Sequence, residues 1–206
     1  MTDLIALASC GLAFFVVAVS PGPANISNAT IAMSRGRKTS LVYGLGLSCG
    51  LVFWGLIAAS GMGAVLQSSI TLLIILKVLG GHYLLWLAWQ SGRSALHPAQ
   101  ASATTVSEGH WFWRGLILNM SNPKSVIAWM AALSIGIGPN DGLATVAAAT
   151  LICIAVGFFN NALYSVLFSM GGMMRAYQKA RRWIDGVVAG LFAVAGLGLI
   201  KSALSR

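Results

Sequence analysis

Apolar residues run along this chain in long, nearly unbroken blocks, separated by short polar or basic strings, with little of the two-faced alternation of a soluble helix or strand. A hydrocarbon layer of about 30 Å is crossed by roughly 20 helical residues. Six blocks reach that length, at about 4–34, 39–66, 69–93, 112–137, 142–173 and 183–204, which predicts six membrane-spanning helices. The first and fifth exceed one straight crossing, which fits a break in the first and tilt or an interfacial end in the fifth. The one linker-like segment is the polar string His97–His110, HPAQASATTVSEGH. It divides the chain into a first three-helix unit over 1–95, a cytoplasmic linker over 96–110 and a second three-helix unit over 111–206. Three crossings are an odd number, so the two units run in opposite directions. The expected fold class is an all-α membrane protein: one integral membrane domain made of two inverted three-helix repeats.

Two of the blocks contain helix-breaking strings in matching positions of the two halves, Ser20-Pro21-Gly22-Pro23 and Ser121-Asn122-Pro123-Lys124. Proline lacks a backbone donor and clashes with the preceding turn, so the first and fourth helices should be interrupted there. Lipid cannot hydrogen-bond the freed backbone groups, and such backbone survives only where protein or a wet cavity surrounds it. Paired interruptions of this kind point to a substrate site near the bilayer midplane.

Composition supports a membrane location. Residues are 57% hydrophobic and only 8% charged, with a mean hydropathy of +0.81, whereas soluble domains carry about 25% charged residues. The net charge of +9 does not argue for nucleic acid, because the basic residues sit in short clusters between apolar blocks. Arg35, Arg37 and Lys38, then Arg93 and Arg114, then Arg175, Lys179, Arg181 and Arg182 mark three cytoplasmic loops. Strings near Gln67–Ser69 and Pro139–Gly142 lack Lys and Arg and should face outward with both termini, although Lys201 and Arg206 oppose this. Trp111, Trp113 and Trp183 stand where interfacial anchors would. Cys10, Cys49 and Cys153 are read as packing residues that form no pair. The first block begins with Asp3 and no basic stretch ahead of it, so no cleaved signal peptide is expected. Gly46 with Gly50, and Gly186 with Gly190, have the spacing that lets helix backbones touch, within one chain or between two copies of a homodimer.

A broken helix offers N–H groups and a positive dipole end downstream of the break, and carbonyls and a negative end upstream. That pairing suits a zwitterion. The first break supplies Ser20, Pro21, Gly22, Pro23 and Asn25, with N–H groups from Ala24 onward for a carboxylate. The second supplies Asn122, Pro123 and Lys124. Lys124 falls close to mid-depth, where a cation costs at least about 2.5 kcal/mol. It could bind a carboxylate, exchange a proton, or cap carbonyls of the first break; these roles stay open. His82, near the middle of the third block, is a candidate to carry a coupling proton. Lys77 is expected to snorkel at the outer end of that helix. Asn160 and Asn161, midway along the fifth block, need partners and are candidates for substrate contact, with Tyr164 one turn away on the same side. Asp185 is placed at the start of the sixth helix, where a pairing with Arg181 or Arg182 is expected, so no acid is expected at depth. No catalytic set, metal-ligand cluster or phosphate loop is apparent, so no cofactor is expected and the chain is read as a non-enzyme.

These strings occur together with Arg35-Gly36-Arg37, Lys77-x-x-Gly80-Gly81-x-Tyr83-Leu84 and Gly115-x-x-x-Asn119-x-x-Asn122-Pro123-Lys124. In that combination the chain resembles the LysE/RhtB family of amino-acid exporters along essentially its whole length. The resemblance implies a bacterial inner-membrane carrier that exports amino acids or related small metabolites by antiport on the proton-motive force. It also implies two inverted repeats with both proline motifs on the pathway. The family often has an acid or amide where this chain has Ala24, and the Gly-Ala dipeptide of its third helix is replaced by Gly80-Gly81 before His82. The missing acid favours a neutral amino acid over a strongly cationic one. The rival readings are a divalent or heavy-metal cation exporter, which would need ligands at depth, and a thiol–disulfide carrier, which would need a cysteine at each break.

Overall fold

The computed structural model describes residues 4–68, 70–96, 109–137 and 141–204. These form eight helices: α1 (Leu4–Val19), α2 (Pro23–Arg35), α3 (Arg37–Ser68), α4 (Ile70–Leu96), α5 (Trp111–Met120), α6 (Pro123–Gly136), α7 (Leu143–Phe168) and α8 (Met173–Leu204). No strand occurs among the described residues. Most of the expected linker, and Pro139 and Asn140 of the expected outward string Pro139–Gly142, lie outside them.

Both proline strings interrupt helices. Proline has no N–H to continue the ladder but fits the first helical turn, so Pro23 and Pro123 each open a new helix, α2 and α6. The α1–α2 pair bends by 59° at its break and passes together as membrane-compatible. Three further helices among the described residues are long and apolar enough to cross a membrane: α3 over Arg37–Gly61, α7 and α8.

The last block differs from its expected bounds. Helix α8 begins at Met173, about three turns before the expected 183, while α7 ends at Phe168. The basic string from Arg175 to Arg182 reads as a loop by charge, yet its residues have good helix propensity and continue the ladder. Asp185 consequently lies well inside α8 and is only 1% exposed. Lys77 is also buried, contrary to the snorkelling expected of it.

Helix α3 contacts α5 and α7, α1 contacts α6 and α7, and α4 contacts α6 and α8. The α3–α5 contact depends on glycine: a Cβ on Gly46 would lie 2.0 Å from the Phe112 carbonyl, and one on Gly115 would lie 2.2 Å from that of Tyr43. Gly186 and Gly190, in contrast, meet nothing within 4 Å. One apolar cluster, among α1, α3, α6 and α7, centres on Phe14, Trp129, Leu133 and Leu51. The Phe14 and Trp129 rings lie 4.7 Å apart, and Trp129 Nε1 donates to the Leu51 carbonyl. Cys10 and Cys153 belong to this cluster with their sulfurs 3.5 Å apart. They are packing thiols as expected, but they do form a neighbouring pair, joined by contacts between α1 and α7 that no local spacing announces.

A candidate binding site at the two helix breaks

Breaking a helix with two prolines leaves a defined set of carbonyls without their usual donors. Pro21 and Pro23 cannot donate to Val17 and Val19, and the turn removes the donors for Ala18 and Ser20. Each of the four carbonyls has a side-chain donor instead. Ser20 Oγ donates to Val17 O at 2.8 Å, and Asn25 Nδ2 to Ala18 O at 2.6 Å. Tyr164 Oη, from α7, donates to Val19 O at 2.9 Å. Ser20 O accepts from Asn25 Nδ2 at 3.0 Å and from Lys124 Nζ, across from the second break, at 3.0 Å. Lys124 Nζ also donates to Ser20 Oγ. In this conformation the upstream end of the first break is therefore satisfied by the protein, and its carbonyls are not left for a substrate ammonium.

The second break is closed in a similar way. Asn122 caps α6, its Oδ1 accepting from Lys124 N at 3.1 Å. Asn119 O, which loses its donor to Pro123, accepts from Asn122 N at 3.1 Å. Met120 O accepts from Trp54 Nε1 at 3.1 Å.

The downstream ends differ. The α6 N-terminus has a side-chain cap, whereas α2 starts at extended Gly22 with none. The N–H groups of Ala24 and Asn25 are thus the open helix terminus at this site. Lys124 lies beside it: a Cβ on Gly22 would sit 3.2 Å from Lys124 Nζ. An uncapped helix N-terminus with an ammonium alongside has the chemistry to hold an anion.

Two cavities meet here, with Gly22, Asn122 and Lys124 lining both. The larger, of about 1000 Å³, includes all of Ser20–Pro23 and Pro123 in its wall. It extends along the helix ends that carry the basic strings, past Tyr83, Trp86 and Gln90 to Ser94, Arg114, Arg181 and Asp185. The smaller, of about 60 Å³, lies on the other side of the breaks and is lined by Asn25, Asn119, Asn160 and Asn161, with Phe14 and Leu51 on its far wall. Asp185 is the acid that sequence reasoning put at the periphery. It accepts from Ser94 Oγ at 2.6 Å and lies 3.6 Å from Arg181 Nε, tying α4 to α8 at the cavity wall.

The structure therefore gathers Ser20, Pro21, Gly22, Pro23, Asn25, Asn122, Pro123, Lys124, Asn160 and Asn161 around one junction. Tyr164 supports the break from behind and lines neither cavity. His82 is exposed on α4, its Nδ1 2.8 Å from Val78 O, and it also lines neither. Sequence reasoning missed Asn119 as a site residue, and with it a buried polar network behind Asn161. There Asn28 Nδ2 donates to Asn161 O, Asn161 Nδ2 to Ser48 Oγ, and Ser40 Oγ to Asn28 Oδ1. The clustering of Asn25, Ser27 and Asn28 just after Pro23 was the available signal, since amides and hydroxyls in an apolar block need partners.

A multi-pass helical membrane protein with a polar cavity at two broken helices has the build of a solute translocator. The chain belongs to the LysE type translocator family, whose model matches residues 15–203. It is 35% identical over 196 residues to the threonine efflux protein of Salmonella typhi, covering 91% of this chain and 93% of that protein. With the threonine efflux protein of Escherichia coli strain K12 it shares 32% identity over 208 residues, 97% of this chain and 99% of the relative. The homoserine/homoserine lactone efflux protein of Salmonella typhimurium is 33% identical over 122 residues, 57% of each chain. No solved structure matches.

Proposed function

We propose that the protein exports a small neutral amino acid, threonine being the first candidate, from the cytoplasm across the inner membrane in exchange for protons. The observation that carries this is the asymmetry of the two breaks. Of the two downstream helix ends, α2 is the one without a side-chain cap, and it is the one with Lys124 alongside. The substrate carboxylate binds there, to the N–H groups of Ala24 and Asn25 and to Lys124 Nζ. The names of the threonine and homoserine efflux relatives support an amino acid as the substrate.

Charge in the large cavity favours a neutral amino acid. Lys124, Arg114 and Arg181 line it together with Asp185, and Asp185 is already engaged by Ser94 and Arg181. A substrate with a second positive charge would meet net repulsion. The chain's contact pattern supports two inverted repeats, with α1–α2, α3 and α4 corresponding to α5–α6, α7 and α8. Under that correspondence the α3–α5 contact matches α7–α1, and α3–α7 and α4–α8 each match themselves. The larger cavity runs toward the basic helix ends, and the Phe14–Trp129 cluster lies beyond the breaks on the opposite side. With the basic strings cytoplasmic, this conformation is open to the cytoplasm and closed outside. Lys124, which joins the breaks and lines both cavities, is the candidate to exchange the coupling proton.

Counterflow of a labelled amino-acid panel in proteoliposomes tests the reading. Threonine or another small neutral amino acid should move, and its methyl ester should compete poorly because it lacks the carboxylate. Movement of lysine or arginine alone, or full competition by the ester, would overturn it.

A further inference from the structure

The small chamber is lined by Asn119 and Asn160, whose buried Oδ1 atoms have no hydrogen-bond partner among the described residues. Both side chains are almost fully buried, at 5% and 3% exposure. The orientation of Asn160 follows from the break itself. Asn25 must turn its Nδ2 to the Ala18 and Ser20 carbonyls, which only a donor can satisfy. Its Oδ1 therefore faces Asn160, which must answer with Nδ2, at 3.2 Å. That leaves the Asn160 oxygen unpaired. A buried carbonyl without a donor has lost its water and gained nothing in return, so two beside one chamber call for a donor from outside the protein.

We infer that this chamber is the subsite for the substrate's ammonium group, which donates to Asn119 Oδ1 and Asn160 Oδ1 while the carboxylate lies at the α2 N-terminus beside Lys124. The inference rests on the carrier reading given above. Chemistry narrows the ligand. Neutral carboxamide oxygens, two of them unpaired, match a group with several N–H donors. A bare metal ion would want six or more oxygens and would face Lys124 with no carboxylate between. Size agrees: about 60 Å³ holds roughly four to six small groups at about 10–15 Å³ each. Ala24 and Asn25 line the chamber as well, so the carboxylate, Cα and ammonium lie in it together, and the side chain stays in the larger cavity, which shares Gly22, Asn122 and Lys124 with the chamber. The amine end then leads toward the Phe14 and Leu51 wall.

The test uses two compounds that differ only in the amine, L-threonine and 3-hydroxybutyrate, as competitors of labelled L-threonine counterflow in proteoliposomes. Wild-type protein should prefer threonine by at least about tenfold, the worth of a charged hydrogen bond. Asn160→Leu and Asn119→Ala should each bring that ratio toward one while inhibition by 3-hydroxybutyrate stays unchanged. Because Asn119 Oδ1 bonds nothing in the protein, Asn119→Ala carries the test alone if Asn160→Leu does not fold. Variants that keep the full preference, or lose both compounds in parallel, overturn the ammonium subsite and leave the carrier reading in place. Wild-type protein that moves no amino acid overturns the carrier reading and the subsite with it.

Discussion

Replacing Lys124 with methionine separates its part in the scaffold from its part in binding. Its ammonium supplies one of two donors to the Ser20 carbonyl, the other being Asn25 Nδ2 at 3.0 Å. Ser20 Oγ keeps its own bond to Val17 O. No carbonyl of the break is therefore orphaned by the substitution. Losing the charged donor costs about 1.5–3 kcal/mol, and no longer holding a cation inside the membrane returns about 2.5–3.5 kcal/mol. These nearly cancel, so Tm in detergent should move by less than about 5 °C. Transport is affected differently, because the substrate carboxylate loses a charged hydrogen bond of about 1.5–3 kcal/mol, between about tenfold and a hundredfold in apparent affinity. Counterflow of labelled threonine against concentration, measured on the same preparation as Tm, reads both quantities. Unchanged affinity in a normally folded variant would refute the carboxylate role, and a collapse in Tm would refute the claim that the break is satisfied without Lys124.

Tyr164→Phe removes the donor to Val19 O, which Pro23 orphans, and should cost about 1–3 kcal/mol, read as a fall in Tm; an unchanged Tm would mean another donor replaces it. Gly46→Val places side-chain atoms against the Phe112 carbonyl and should abolish folding of the α3–α5 contact, read as loss of monodisperse protein on size exclusion. His82→Gln should leave both counterflow and pH-gradient-driven efflux at wild-type rates, because His82 lies outside both cavities; selective loss of gradient-driven efflux would return the proton to His82. Reporter fusions at Arg37 and Arg182 should read cytoplasmic and at Gln67 external, and the reverse would invert the assigned direction of transport.

The breaks were legible because the missing N–H of a proline is a local fact: Pro21, Pro23 and Pro123 state where the ladder must fail. The donors that repair it were harder to read. Tyr164 and Lys124 reach Val19 and Ser20 from distant elements, and only the packing of α6 and α7 against α1 brings them there. Lys124 was legible as a cation needing compensation, though its partner was one of three open roles. Asp185 was misplaced because the basic string before it looks like a loop by charge, while its backbone is the first turns of α8. The Cys10–Cys153 contact has no sequence signal, since neither residue has a local partner pattern. Asn119 stood inside a recognised motif, yet its unpaired oxygen follows from geometry alone.

The central claim is that the substrate sits at the junction of the breaks, and a structure determined with L-threonine bound tests it most directly. The account predicts the threonine carboxylate within hydrogen-bond distance of Ala24 N, Asn25 N and Lys124 Nζ. Threonine held instead at Asp185 and Arg114, with the junction untouched, would contradict it.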